Sequence, residues 1–247
     1  MLWYKAWRES RVRFLLSLTV LSFLCFGLMY RARTGFPPAE QPDLTYTAWV
    51  WGSIYGNLNP TVFVMLAMML GLGGLQRERP VGTAAFTLSL PVTRIRLVAV
   101  RAAVGLLQVV VLSLLPALTI PALSPFLAGQ FYPETQALQF SLLYCAWGAI
   151  AFSAGFLWSS VFAGEFTGTI LCVATPVVYR ILVQNSSGLR QFPAANYAGF
   201  MSGMPFIESP VKVLISKPLP LSSLLFLTTA AAVLLACGAL ITRRRDF

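Results

Sequence analysis

The sequence predicts an all-α membrane protein built from six transmembrane helices. Three observations predict it: the bulk composition, the length of the apolar runs, and the way charges gather at the ends of those runs. Of the 247 residues, 57% are hydrophobic and 11% are charged, whereas a soluble domain carries about a quarter charged residues. Mean hydropathy is +0.73. Several runs are long enough to cross a hydrocarbon core of about 30 Å, so the bilayer is the solvent that most of this surface is made for.

The predicted spans are about 14–30, 49–75, 97–123, 137–162, 167–183 and 219–241, within a single transmembrane domain covering 1–247. The first follows a basic segment, MLWYKAWRESRVRF, that loosely imitates a signal peptide. No small-residue cleavage site follows, and the run ends in Tyr30, Arg31 and Arg33, so it is kept as a membrane helix. The second is the least regular. Its clean part, Thr61 to Leu75, reaches only about 22 Å at a rise of 1.5 Å per residue. The span therefore continues through Asn57, Asn59 and Pro60 toward Trp49 and Trp51, which suit an interfacial aromatic belt. Asn57 and Asn59 are candidate pathway groups if this break lines a cavity. The alternative is an outer helix end, with Asn59 as cap and Pro60 at the first helical position. Pro116 and Pro176 are expected to kink spans three and five. Ala149, Ala151, Ser153 and Gly155 give span four the small-residue spacing that lets helices approach closely. Between 184 and 218 lies a long connection with apolar patches such as PVKVLI, open to an interfacial or re-entrant piece.

Charge sets the expected orientation. Both ends are basic, with Lys5, Arg8, Arg11 and Arg13 at one and Arg243, Arg244 and Arg245 at the other, so both belong in the cytoplasm and the span count is even. Six spans put the segment between the second and third on that side too, adding Arg77, Arg79, Arg94, Arg96 and Arg101. Left at or near the outer side are Arg31, Arg33, Arg180, Arg190, Lys212 and Lys217. The net charge of +10 is thereby explained by topology, and no nucleic-acid partner is implied. Arg180 either faces an anionic substrate or snorkels to the interface.

Catalytic chemistry has few carriers. The chain has no histidine, which removes Ser-His pairs and H-E-x-x-H zinc sites, and no span contains an aspartate or a deep glutamate. Cys25, Cys145, Cys172 and Cys237 fall in separate apolar runs without ligand spacing and read as small apolar residues. No metal or cofactor is expected in the chain.

The most informative stretch is QRERPVGTAAFTLSLPVTRIRLVAVR, Gln76 to Arg101. Pro80 suits a first helical turn, Glu78 favours a helix start, and Leu90-Pro91 closes the segment. Val81, Ala84, Ala85 and Leu88 recur at helical spacing, making a small apolar face flanked by basic residues. On composition alone, this is an amphipathic helix resting on lipid headgroups. Its order of residues says more: Glu78, Gly82 and Thr83, then Ser89, Leu90, Pro91, Val92, Thr93 and Arg94, resemble the E-x-x-x-G-T and S-L-P-V-[ST]-R elements flanking the coupling helix of ABC-2 type transporter permeases. Trp7, Arg8, Glu9 and Ser10 resemble that family's amphipathic elbow helix, here about 1–13, and Arg244 to Phe247 its basic tail.

The resemblance covers nearly the whole chain and implies a division of labour. This chain would form the substrate pathway of an exporter in a bacterial or archaeal cytoplasmic membrane, pairing with a second permease chain. A cytosolic ABC ATPase, binding ATP and Mg, would dock on Glu78, Arg79, Val81, Gly82, Thr83, Ala85, Leu88, Pro91 and Arg94. The chain has no G-x-x-x-x-G-K-[ST] phosphate loop, so ATP hydrolysis is expected from the partner. Two other readings stand beside this one: a non-catalytic membrane anchor recruiting a cytosolic partner through the same loop, and an ion-driven secondary transporter. The second is disfavoured by the lack of intramembrane carboxylates and of a visible internal repeat. The substrate is left open, because an apolar pathway with a few Asn, Ser and Thr groups suits lipids, drugs, peptides or glycans.

Overall fold

A computed structural model of the chain describes residues 2–35, 45–55, 58–72, 93–162, 165–186, 188, 206–208, 213–215 and 221–244. Its first helix, α1 (Leu2–Gly35), is 34 residues long, about 51 Å at the usual rise. The separate elbow expected over about 1–13 is replaced by the first turns of this one helix. No proline lies in it and its interior glycine, Gly27, comes much later, so nothing near Arg13 interrupts the i→i−4 ladder. Trp7 packs on Phe14 across the expected junction, ring centroids 5.6 Å apart.

The second span is described in three pieces. It comprises α2 (Tyr46–Val50), a π-helical turn at Trp51–Tyr55, and α3 (Leu58–Gly71). Trp49, assigned to an interfacial belt from the sequence, is instead buried with Val50, Ile54 and Tyr55. Tyr46 and Trp49 stack on each other, and Tyr132 meets Tyr46 edge-on, so the aromatic residues turn inward where other helices can cover them.

Helix α4 (Arg94–Leu127) is capped by Thr93, whose hydroxyl accepts from the Arg96 N–H at 3.4 Å. It runs on through Pro116, Pro121 and Pro125. A short turn with Gly129 at φ 63° leads to α5 (Glu134–Val161), followed by α6 (Glu165–Asn185), which contains Pro176. The connection after α6 holds an antiparallel hairpin, β1 (Phe206–Glu208) and β2 (Val213–Ile215), with Ile207 opposite Leu214. The patch read as interfacial or re-entrant supplies β2. Helix α7 (Leu221–Arg244) closes the fold.

Five of these segments are long and apolar enough to cross a membrane: Leu2–Arg33, Tyr46–Gly71, Ile95–Leu127, Glu134–Val161 and Leu224–Arg243. In α6 the apolar stretch among the described residues is shorter, Thr167–Tyr179. Helix α5 is the hub, packing on α3, α4 and α7. Its closest approach is to α3, where Gly155 lies against the Met68 backbone and Gly71 against the Phe152 carbonyl. A Cβ at either glycine would collide with main chain, so here the small-residue spacing in span four does the packing expected of it.

Contacts along the helices fix their directions. Gly155 meets Met68 while Tyr55 stacks on Phe140, so α3 and α5 run parallel. Thr242 donates to Ser160 at 3.4 Å, which makes α7 parallel to α5 as well. Gly105 meets Phe152 and Gly148 meets Val109, making α4 antiparallel to α5; Glu9 pairs with Arg101 at 3.4 Å, making α1 parallel to α4. Gly168 near the start of α6 abuts Leu72 at the end of α3. The segments thus alternate in direction, and Leu2, Gly71, Arg94 and Arg244 come to one end of the bundle. Lys5, Arg8, Arg11, Arg13, Arg96, Arg101 and Arg243 gather at this end, opposite Arg31 and Arg33.

Candidate functional site

Asn59 is one of the two candidate pathway groups whose position is described in some detail, and it changes the reading of the second span. It lies 12 residues before Gly71, roughly 18 Å along α3 at 1.5 Å per residue. It is fully buried. Asn59 belongs to the described helix α3 and its side chain bonds inside the bundle, which does not fit a cap facing the outer surface. The π-helical turn just before it is the kind of irregularity that membrane helices tolerate only where protein or a cavity, not lipid, surrounds it.

Around Asn59 the bundle assembles neutral polar groups from three helices. Asn59 Nδ2 donates to Cys25 Sγ of α1 at 3.7 Å, and its Oδ1 has no partner. One turn earlier Tyr55 stacks on Phe140 of α5 at 4.5 Å and meets Tyr144 edge-on at 5.8 Å. Tyr144 in turn packs on Phe63 at 5.0 Å and on Trp147 at 5.8 Å. Cys25 is within electrostatic reach of both tyrosines. The hydroxyls of Tyr55 and Tyr144 and the indole N–H of Trp147 are buried without a hydrogen-bond partner. Tyr132, in the turn before α5, is a further such group; burial first, then neighbouring Tyr46, pushes its hydroxyl above the ordinary tyrosine value, so it stays protonated.

Each buried polar group left unsatisfied costs about 1–3 kcal/mol. Several in one cluster mark a place where water or a polar ligand group fits, because interiors otherwise pair nearly all such atoms. What the cluster can do is limited by its members. It offers donors, acceptors and aromatic faces, and no described charged side chain takes part. It can bind or pass a neutral polar group.

Other interior polar groups act as ties between helices. Gln108 Nε2 donates to Ser10 Oγ at 2.7 Å, joining α4 to α1, and Tyr46 donates to Ser124 Oγ at 2.8 Å. Glu9 bridges Lys5 at 3.6 Å and Arg101. Among the described residues no group of three or more Cys, Asp or Glu side chains could hold a metal ion, and the four cysteines are free.

Of the residues assigned to ATPase coupling, Glu78, Arg79, Val81, Gly82, Thr83, Ala85, Leu88 and Pro91 lie outside the described residues, as does Asn57. Arg94 opens α4 behind the Thr93 cap. Arg180 falls in the last two turns of α6, and its side chain is outside the description. Sequence reasoning missed Tyr55, Tyr144, Trp147 and Gln108. For Gln108 a signal existed, a lone amide in an apolar run; for the aromatic residues none did, since nothing local distinguishes a lipid-facing tyrosine from one facing a neighbouring helix. Compared with protein-family models and with curated protein sequences, the chain gives no match to either.

Proposed function

We propose that this chain is the permease subunit of an ATP-binding-cassette exporter of the ABC-2 type, forming the substrate pathway and coupling to a separate cytosolic ATPase. The observation that carries the proposal is the ordered set Glu78, Gly82, Thr83, Ser89, Leu90, Pro91, Val92, Thr93 and Arg94, in the connection between α3 and α4. Two features of the fold support it. Gly71 and Arg94, which flank that connection, sit at the same end of the bundle as both chain ends and most of the described cations. At mid-bundle, the cluster around Asn59 gives a polar group somewhere to go.

On this reading a helix from Val81 to Leu88 inserts a small apolar face into a groove on the ATPase. Glu78, Arg79 and Arg94 orient it, and two permease chains pair in the membrane. The test is Ala85→Asp in the full chain. An unpaired charge in an interface core costs a few kcal/mol, so copurification with a co-expressed cytosolic ABC ATPase that binds the parent chain should be lost while membrane insertion is kept. Purified alone, the chain should not hydrolyse ATP. Unchanged copurification and unchanged stimulated hydrolysis would instead fit a loop resting on lipid, and the coupling assignment would fall.

A further inference from the structure

Between α3, α5 and α6 lies a cavity of about 130 Å³. Its walls are Val64 and Met68 of α3, Ala151 and Ala154 of α5, and Thr175 and Pro176 of α6, with Trp147 at its inner side. Small side chains on α5 and the proline on α6 leave the space, since neither alanine can fill it and Pro176 has no long side chain to offer. Met68 and Trp147 are buried, whereas Val64, Ala154 and Thr175 are half-buried, so the cavity is a cleft reached from the outside of the bundle.

We propose that this cleft holds one hydrocarbon chain of a membrane phospholipid. Water is a poor occupant, because a buried water needs two to four polar partners. The Thr175 hydroxyl already donates to the Leu171 carbonyl at 2.6 Å, Tyr179 is engaged in an interaction of its own, and only Trp147 brings an unpartnered donor. A helix from a second copy is too thick, since a helix with its side chains is about 10–12 Å across. An apolar void of about 150 Å³ takes up a small hydrocarbon readily. Depth selects the source. Met68 and Val64 lie three and seven residues before Gly71, and Ala154 and Trp147 seven and fourteen before Val161, placing the cleft roughly 5–20 Å below the basic end of the spans. That is where the chain of a lipid seated at this end runs. The proposal does not depend on an ATPase partner.

The test places the full chain in nanodiscs containing phospholipid with a photoactivatable diazirine midway along one acyl chain, followed by irradiation and peptide mass spectrometry. Adducts should concentrate on Val64, Ile150 and Thr175, exceeding those on Val233 of α7, which is more exposed and lies at similar depth. Ala154→Phe, which fills the cleft, should bring them down to or below the Val233 level. Val64→Phe serves as a second filling variant if the first loses its helical signal. Adducts that follow exposure alone, with Val233 above the cleft residues, would overturn the proposal, as would cleft adducts that survive both fillings. Cleft residues left without lipid adducts would overturn it too.

Discussion

Asn59 and Tyr144 show how much a single polar atom means in a bundle with few of them. Asn59 spends one amide hydrogen on a thiol and leaves its carbonyl unpaired at mid-span. Asn59→Leu keeps the branched shape and heavy-atom count while removing the orphan and the weak bond together, a loss of polarity that is close to neutral for stability. Thermal unfolding in detergent should move by only a few degrees, yet on the exporter proposal substrate-stimulated turnover of the permease–ATPase complex should be lost; normal turnover would remove the cluster from the proposed pathway. Tyr144 separates packing from polarity. Tyr144→Phe discards a hydroxyl that has no partner and should be neutral or mildly stabilising, while Tyr144→Ala opens a cavity at the centre of the core and should cost about 3–5 kcal/mol. Equal effects of the two in a denaturation series would mean that the hydroxyl is paired after all. At this scale the sequence exposed Asn59, because Asn-Leu-Asn-Pro interrupts an apolar run, but it hid Tyr55 and Tyr144, whose surroundings come from helices distant in the chain.

Among the helices, the contact of α3 with α5 depends on two missing side chains. Gly155→Leu would drive a side chain into the Met68 backbone, and overpacking of this kind costs about 1–3 kcal/mol where the main chain can shift to accept it. Gly27 on α1 has open space around its Cβ position, so Gly27→Leu should be neutral to stabilising, by up to about 1 kcal/mol of helix propensity. The two melting temperatures, measured in the same detergent, check the packing directly; a Gly155→Leu protein as stable as the Gly27→Leu protein would place the α3–α5 crossing elsewhere. The small-residue spacing of span four was legible beforehand. Its partner was not, because small residues permit approach without naming what approaches. The continuity of α1 was misread for a related reason: an amphipathic start looks like a surface helix until Glu9, Ser10 and Trp7 are seen tied to Arg101, Gln108 and Phe14.

For the whole molecule, the described segments alternate in direction and bring Leu2 and Arg244 to one end of the bundle, the arrangement an even span count requires, although α6 contributes a shorter apolar stretch than the other five. The charge pattern predicts both ends in the cytoplasm; on that expectation a membrane-impermeant thiol reagent applied from outside should label a single cysteine placed at Asn196 and fail at Arg77 or Phe247, the native cysteines having been replaced. Labelling at Phe247 would reverse or re-count the spans. The same experiment orients the hairpin, since β2 packs on α2 at the end away from Arg94.

What the sequence by itself determined is the part governed by local physics. Composition decided that lipid is the solvent, and backbone groups in lipid must pair within their own helix, so long apolar runs could only be spanning helices. Charge at the run ends gave the expected orientation, because each basic cluster resists crossing. Tertiary structure alone decided which face of each helix looks inward. Helices such as α3 and α5 are apolar all round, so periodicity gives them no inner side. Their orientation comes from where Gly71 and Gly155 let backbones meet and where Asn59, Tyr55 and Tyr144 can be kept from hydrocarbon. The buried cluster and the cleft beside α6 are both products of that choice, made between residues as much as a hundred positions apart, which no run of neighbouring letters records.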